Sequence, residues 1–92
     1  MNVSFILRGR WRAEFHALDN VVFQFDFVPS AGDDIYLFDA DLRRRMEDIT
    51  IRFCEESQRR INSLFNNGFI LCANVKKRNF HGDRIDLEIT KL

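Results

Sequence analysis

Residues Asp39–Gly68, DADLRRRMEDITIRFCEESQRRINSLFNNG, decide how the rest of the chain is read. Apolar side chains at Leu42, Met46, Ile49, Phe53, Ile61 and Leu64 recur at three- and four-residue steps, the spacing of a helix buried along one stripe. Asp39 or Asp41 suits the start, where a carboxylate can accept from free amides and meets the positive end of the helix dipole. Asn66, Asn67 and Gly68 suit the end, because glycine and asparagine leave a helix readily through a left-handed residue. The stretch therefore predicts one long amphipathic helix.

Opposite charges four apart, from Arg43 and Glu47 through to Glu56 and Arg60, mark its solvated face, and the Arg43-Arg44-Arg45 triplet is read as part of that lattice. A helix of this span is on the order of 40 Å long, against a radius of gyration of roughly 12 Å for a domain of this size. It should bend, with Ser57 the natural place, or have its end covered by another chain. Ile51, off the stripe, and Phe65, at its edge, are the candidate contacts of that helix end.

Working outward, the flanking segments alternate as strands do. The odd positions Val3, Phe5, Leu7, Gly9, Trp11, Ala13, Phe15 and Ala17 are apolar or small, and the even ones are largely polar. Parity survives Gly9, so this is either one long strand bent there or two strands joined by a tight turn. Val21 to Val28 follow with Phe23, Phe25 and Phe27 on one face. A three-residue loop at Leu18-Asp19-Asn20 would pair Phe15 with Phe23, Ala13 with Phe25 and Trp11 with Phe27, with Asn20 in the left-handed conformation. Pro29 to Asp34 read as a turn, and Ile35-Tyr36-Leu37-Phe38 as a short strand feeding the helix. After the helix, Phe69 to Lys76 and Ile85 to Thr90 alternate around a turn at Asn79 to Asp83. Centring that hairpin on Gly82 sets Arg78 opposite Asp86, Lys76 opposite Glu88 and Val75 opposite Ile89.

The expected fold is α+β: an antiparallel sheet of four or five strands with one long amphipathic helix packed across one face, in the order β-β-(β)-α-β-β. At 92 residues, with 46% hydrophobic and 30% charged, the chain reads as a single domain, residues 1–92, with an aromatic core drawn from ten phenylalanines. No membrane-length apolar run or export signal is visible, so a cytoplasmic chain without membrane contact is expected.

Chemistry-bearing patterns are sparse. Cys54 and Cys72 lack metal or redox spacing and read as small apolar side chains. His16 and His81 form no clear pair with a nucleophile, although Cys72 shares outer-face parity with His16. The aspartates flanking residues 35–38 are accounted for by turns and capping rather than by a metal site. No cofactor, metal or catalytic residue is assigned, and enzymatic activity is not expected.

Two binding readings remain. One helix covers only one face of the sheet, leaving Ile6, Val22, Val28, Ile70 and Cys72 on the other. With the surplus helix length, this predicts a non-catalytic protein-interaction or regulatory module, with a protein partner or a second copy as a homodimer. The alternative is weak, sequence-independent nucleic-acid binding through Arg8, Arg10, Arg12, Lys76, Lys77 and Arg78. A formal net charge of zero counts against it. So does the parity of Phe5, Trp11, Phe15, Phe23, Phe25 and Phe27, which predicts that these aromatics face the helix rather than stack on bases.

Overall fold

The structure, a computed structural model, describes residues 1–19, 21–46 and 55–92. Val3, Phe5 and Leu7 turn inward along the first strand, β1 (Asn2–Arg8), which stops before Gly9 at φ 79°. A left-handed backbone at that point strains any residue with a Cβ. Beyond it the chain leaves the sheet, and Ala13–Leu18 form a 3-10 helix. The alternation that predicted continued strand had a second reading. Trp11, Phe15 and Leu18 are also spaced by four and three, and Trp11 packs edge-on to Phe15 with centroids 5.6 Å apart. The expected hairpin between residues 11–17 and 21–28 is therefore absent. The second strand, β2, is only Phe23–Gln24, and it pairs antiparallel with the start of β1 through Asn2↔Gln24 and Val3↔Phe23. The conformation expected of Asn20 lies outside the described residues.

The turn after Pro29 contains Gly32 at φ 94° and leads into β3 (Asp34–Phe38), then directly into α1 (Asp39–Arg45). Asp39 and Asp41 occupy the first turn as expected, but Phe38 is the N-cap and no side chain caps the helix. The single long helix is not formed. At Met46 the backbone is extended (φ −70°, ψ 126°), and Met46 bridges to Phe23 on β2. The second helix, α2 (Glu55–Asn67), ends before Gly68 at φ 70°. The reason is dimensional. The molecule spans 33 × 28 × 21 Å, so a straight 30-residue helix of about 45 Å would project beyond it, whereas thirteen residues reach only about 20 Å. Met46 belongs to the apolar stripe in sequence but satisfies its burial as a link to the sheet edge. Most of the expected charge lattice lies outside the described residues; of its pairs, Glu55 and Arg59 lie 4.0 Å apart, and Arg44 bonds to Asp41, three residues before it, a pair the lattice did not include.

The last two strands, β4 (Ile70–His81) and β5 (Arg84–Lys91), form the expected hairpin, and Val75 does meet Ile89. Nearer the turn the pairs are Asn79↔Asp86 and Lys77↔Glu88, because a bulge between Val75 and Lys77 takes up one residue. The five strands are ordered β2-β1-β5-β4-β3. The sheet is mixed rather than antiparallel throughout: β1 runs parallel to β5, from Asn2↔Arg84 to Arg8↔Thr90. Alternation cannot reveal this, since a strand presents the same faces whichever way its neighbour runs.

The core lies between the sheet and the helices. Val3, Phe23, Leu71, Leu87 and Ile89 are fully enclosed, and Leu42, Ile61, Leu64 and Phe65 cover them from α1 and α2. Not all the phenylalanines join the core: Phe27 is 90% exposed, Phe80 66% and Phe38 55%.

Candidate interaction face

With the helices on one side, register places the remaining side chains on the other. Along β1 these are Asn2, Ser4, Ile6 and Arg8, and along β5 they are Arg84, Asp86, Glu88 and Thr90. On β4 the face runs from His81, Asn79 and Lys77 across the bulge to Asn74, Cys72 and Ile70, opposite Asp34, Tyr36 and Phe38 of β3.

The half nearest the β4–β5 turn is polar, and its charged side chains pair with one another. Glu88 accepts from Asn79 Nδ2 at 2.7 Å and from Arg8 Nε at 2.8 Å. These hydrogen bonds, from Asn79 first and then Arg8, hold its carboxyl below its ordinary value of 4.5. Asp86 is nearly buried, with His81 Nε2 and Arg84 Nε each 3.2 Å from its carboxylate. Ser4 stands opposite Asp86 on β1, with its Oγ buried and unpartnered. Serine, aspartate and histidine thus meet on one face, but in the wrong sequence for nucleophilic catalysis. The carboxylate rather than the imidazole is the serine's cross-strand neighbour, so the register does not form the serine–imidazole–carboxylate order of a triad.

The other half is apolar and open. Tyr36 pairs across the strands with Cys72, and Phe38 with Ile70. Leu92 joins them, its N–H donating to the Cys72 carbonyl at 3.2 Å. Tyr36 is 62% exposed, Phe38 55%, Ile70 51% and Leu92 52%. Together they form a continuous aromatic and aliphatic patch bordered by Asp34.

The residues singled out from sequence separate clearly. Ile6, Ile70 and Cys72 share this open face, whereas Val22 is half-buried outside the strands and Val28 packs against the core. Phe65 is a core residue with the Arg43 guanidinium 5.1 Å over its ring, and Ile51 and Cys54 lie outside the described residues. Of the basic candidates, Arg8 is held by Glu88 and Arg12 by Glu14 at 3.0 Å, and Arg10 is exposed. Lys77 faces Glu88, Lys76 occupies the bulge, and Arg78 lies on the helix side over the Phe80 ring. They make no continuous basic track.

Sequence reasoning missed Tyr36 and Phe38, having weighed outer-face aromatics only in residues 3–28. The signal was present. A strand that is apolar at four successive positions, in a sheet covered on one side, must show half of them to solvent. Among the described residues no cluster of three His, Cys, Asp or Glu could hold a metal, and no helix is long and apolar enough to cross a membrane. No family model, curated protein or solved structure matches this chain.

Proposed function

We propose that this chain is a non-catalytic binding module that engages a protein through the open face of its sheet. The observation that carries the reading is the contiguous exposure of Tyr36, Phe38, Ile70 and Leu92 beside Cys72. An apolar surface of this kind, rimmed by polar groups, is characteristic of sites that another molecule covers. The test is to place a photo-cross-linking amino acid at Ile70, and separately at exposed Asn62 on α2, in the producing cell. A discrete adduct at Ile70 that is lost on Tyr36→Glu is expected, and an adduct of twice the chain mass would identify the partner as a second copy. No adduct at Ile70, or the same adducts at Asn62, would overturn the reading.

A second reading is favoured by the same two rings, since bases stack on exposed aromatics of open sheets. Its weakness is electrostatic: the rings are bordered by Asp34, and Arg8 and Arg84 are engaged by carboxylates. Fluorescence anisotropy with labelled single-stranded RNA and DNA at low and near-physiological salt decides it. Micromolar binding that falls steeply with salt would support it, and flat curves would remove it.

A further inference from the structure

We infer that the outer edge of β3 accepts an extended segment of a partner protein as a sixth strand, and that this segment alternates apolar residues with lysine or arginine. The inference rests on the module reading above and names the partner's chemistry. Asp39 N–H donates to the Phe69 carbonyl at 3.0 Å, and Val75 N–H donates to the Asp33 carbonyl at 2.8 Å. The odd-numbered residues of β3 therefore turn their backbone groups toward β4, and Asp34, Tyr36 and Phe38 turn theirs outward. Apart from the Phe38 carbonyl, which belongs to the N-cap residue and accepts within α1, no backbone hydrogen bond from another described residue reaches those outward groups. Nor does β3 contain a lysine, a proline or a bulge, and its one charge, Asp34, stands at its start. The opposite edge differs, with β2 only two residues long and tied to Met46.

A strand added here would present alternate side chains to two different surfaces. One set would lie on Tyr36 and Phe38. The other would reach a recess of about 400 Å³ lined by Phe27, Val28, Pro29 and Ile35, with Asp33 and Asp34 in its wall. Each of those carboxylates uses one oxygen within the chain, Asp33 Oδ2 accepting from Ser30 N–H and Asp34 Oδ1 from Asn74. A basic side chain would lay its methylenes along Phe27 and Pro29 and bring its charge to the remaining oxygens. The same charges disfavour a second copy. The β3 edge of a second copy, DIYLF, carries Asp34 and no lysine or arginine to meet them.

The probe is a fluorescein-labelled peptide of about ten residues alternating valine with lysine, compared with one alternating valine with glutamate. The Phe38 backbone already has φ −75°, so Phe38→Pro removes an outward N–H while keeping the ladder to β4; Phe38→Ala removes only the ring. The lysine peptide is expected to bind at least about tenfold more tightly than the glutamate peptide. Asp33→Asn with Asp34→Asn should erase that preference, and Phe38→Pro should weaken binding well beyond Phe38→Ala. Should Phe38→Pro fail to fold, slower exchange of the Tyr36 amide on peptide addition reports the same contact. Equal affinity for both peptides, no binding at about 1 mM, or an unprotected Tyr36 amide overturns the inference. Cross-linking at Ile70 alongside any of those results would leave the module reading intact and remove only the basic strand.

Discussion

The two halves of the open sheet face are built from the same strands and solve opposite problems. Around Glu88 and Asp86, charged groups that strand parity turns away from the core find one another across β1, β5 and β4, and the surface closes on itself. Around Tyr36 and Phe38 the parity is the same, yet the side chains are apolar and nothing within the described residues covers them. A face that spends its polar side chains at one end and leaves rings exposed at the other separates an internally paired region from an open one. Substitutions should therefore separate into two kinds.

The largest effect should come from Asp86→Ala, which strips His81 and Arg84 of their shared carboxylate in a nearly buried position. A loss of about 1–3 kcal/mol is expected in urea unfolding, toward the lower end because both partners are partly exposed. Glu88→Gln should lower the melting temperature less, and with a definite pH dependence. The folded carboxyl lies below its ordinary 4.5, so its contribution is present above that value and is lost as pH falls through the folded one. The gap in melting temperature between Glu88→Gln and the parent should be present near about pH 7 and close in acid; a constant gap would mean that the charge is not what matters. The smallest stability effect belongs to Tyr36→Ser, within about 0.5 kcal/mol, even though the same substitution should abolish cross-linking at Ile70. If Tyr36→Ser unfolds the chain as readily as Asp86→Ala does, the division between the two halves fails.

How much of this was legible in the sequence depended on whether a pattern had one physical meaning. The β4–β5 hairpin and the β3–α1 junction were readable because alternation, turn residues and the apolar faces agreed. The register near the turn was misjudged by one residue because a bulge at Lys76 leaves no mark in a run of three basic side chains. Residues 11–18 were misread because strand and helical periods coincide at Trp11 and Phe15. The long helix failed on size, since only packing within a 33 Å molecule shows where an amphipathic stripe must break. The parallel pairing of β1 with β5 had no local signal at all. The open apolar patch was half legible: Ile70 and Cys72 followed from parity, whereas Tyr36 and Phe38 were passed over although four successive apolar residues in a sheet covered on one side imply them.

That parallel pairing also sets a timetable. Asn2 lies beside Arg84 and Arg8 beside Thr90, so β1 leaves the ribosome well before the strand it pairs with along its whole length. Until β5 emerges, Phe5 and Leu7 lack the strand that holds them in the sheet. The nascent chain must carry that exposed segment until β5 is made, and a stop even a few codons before Arg84 would release a polypeptide with β1 unpaired on that side.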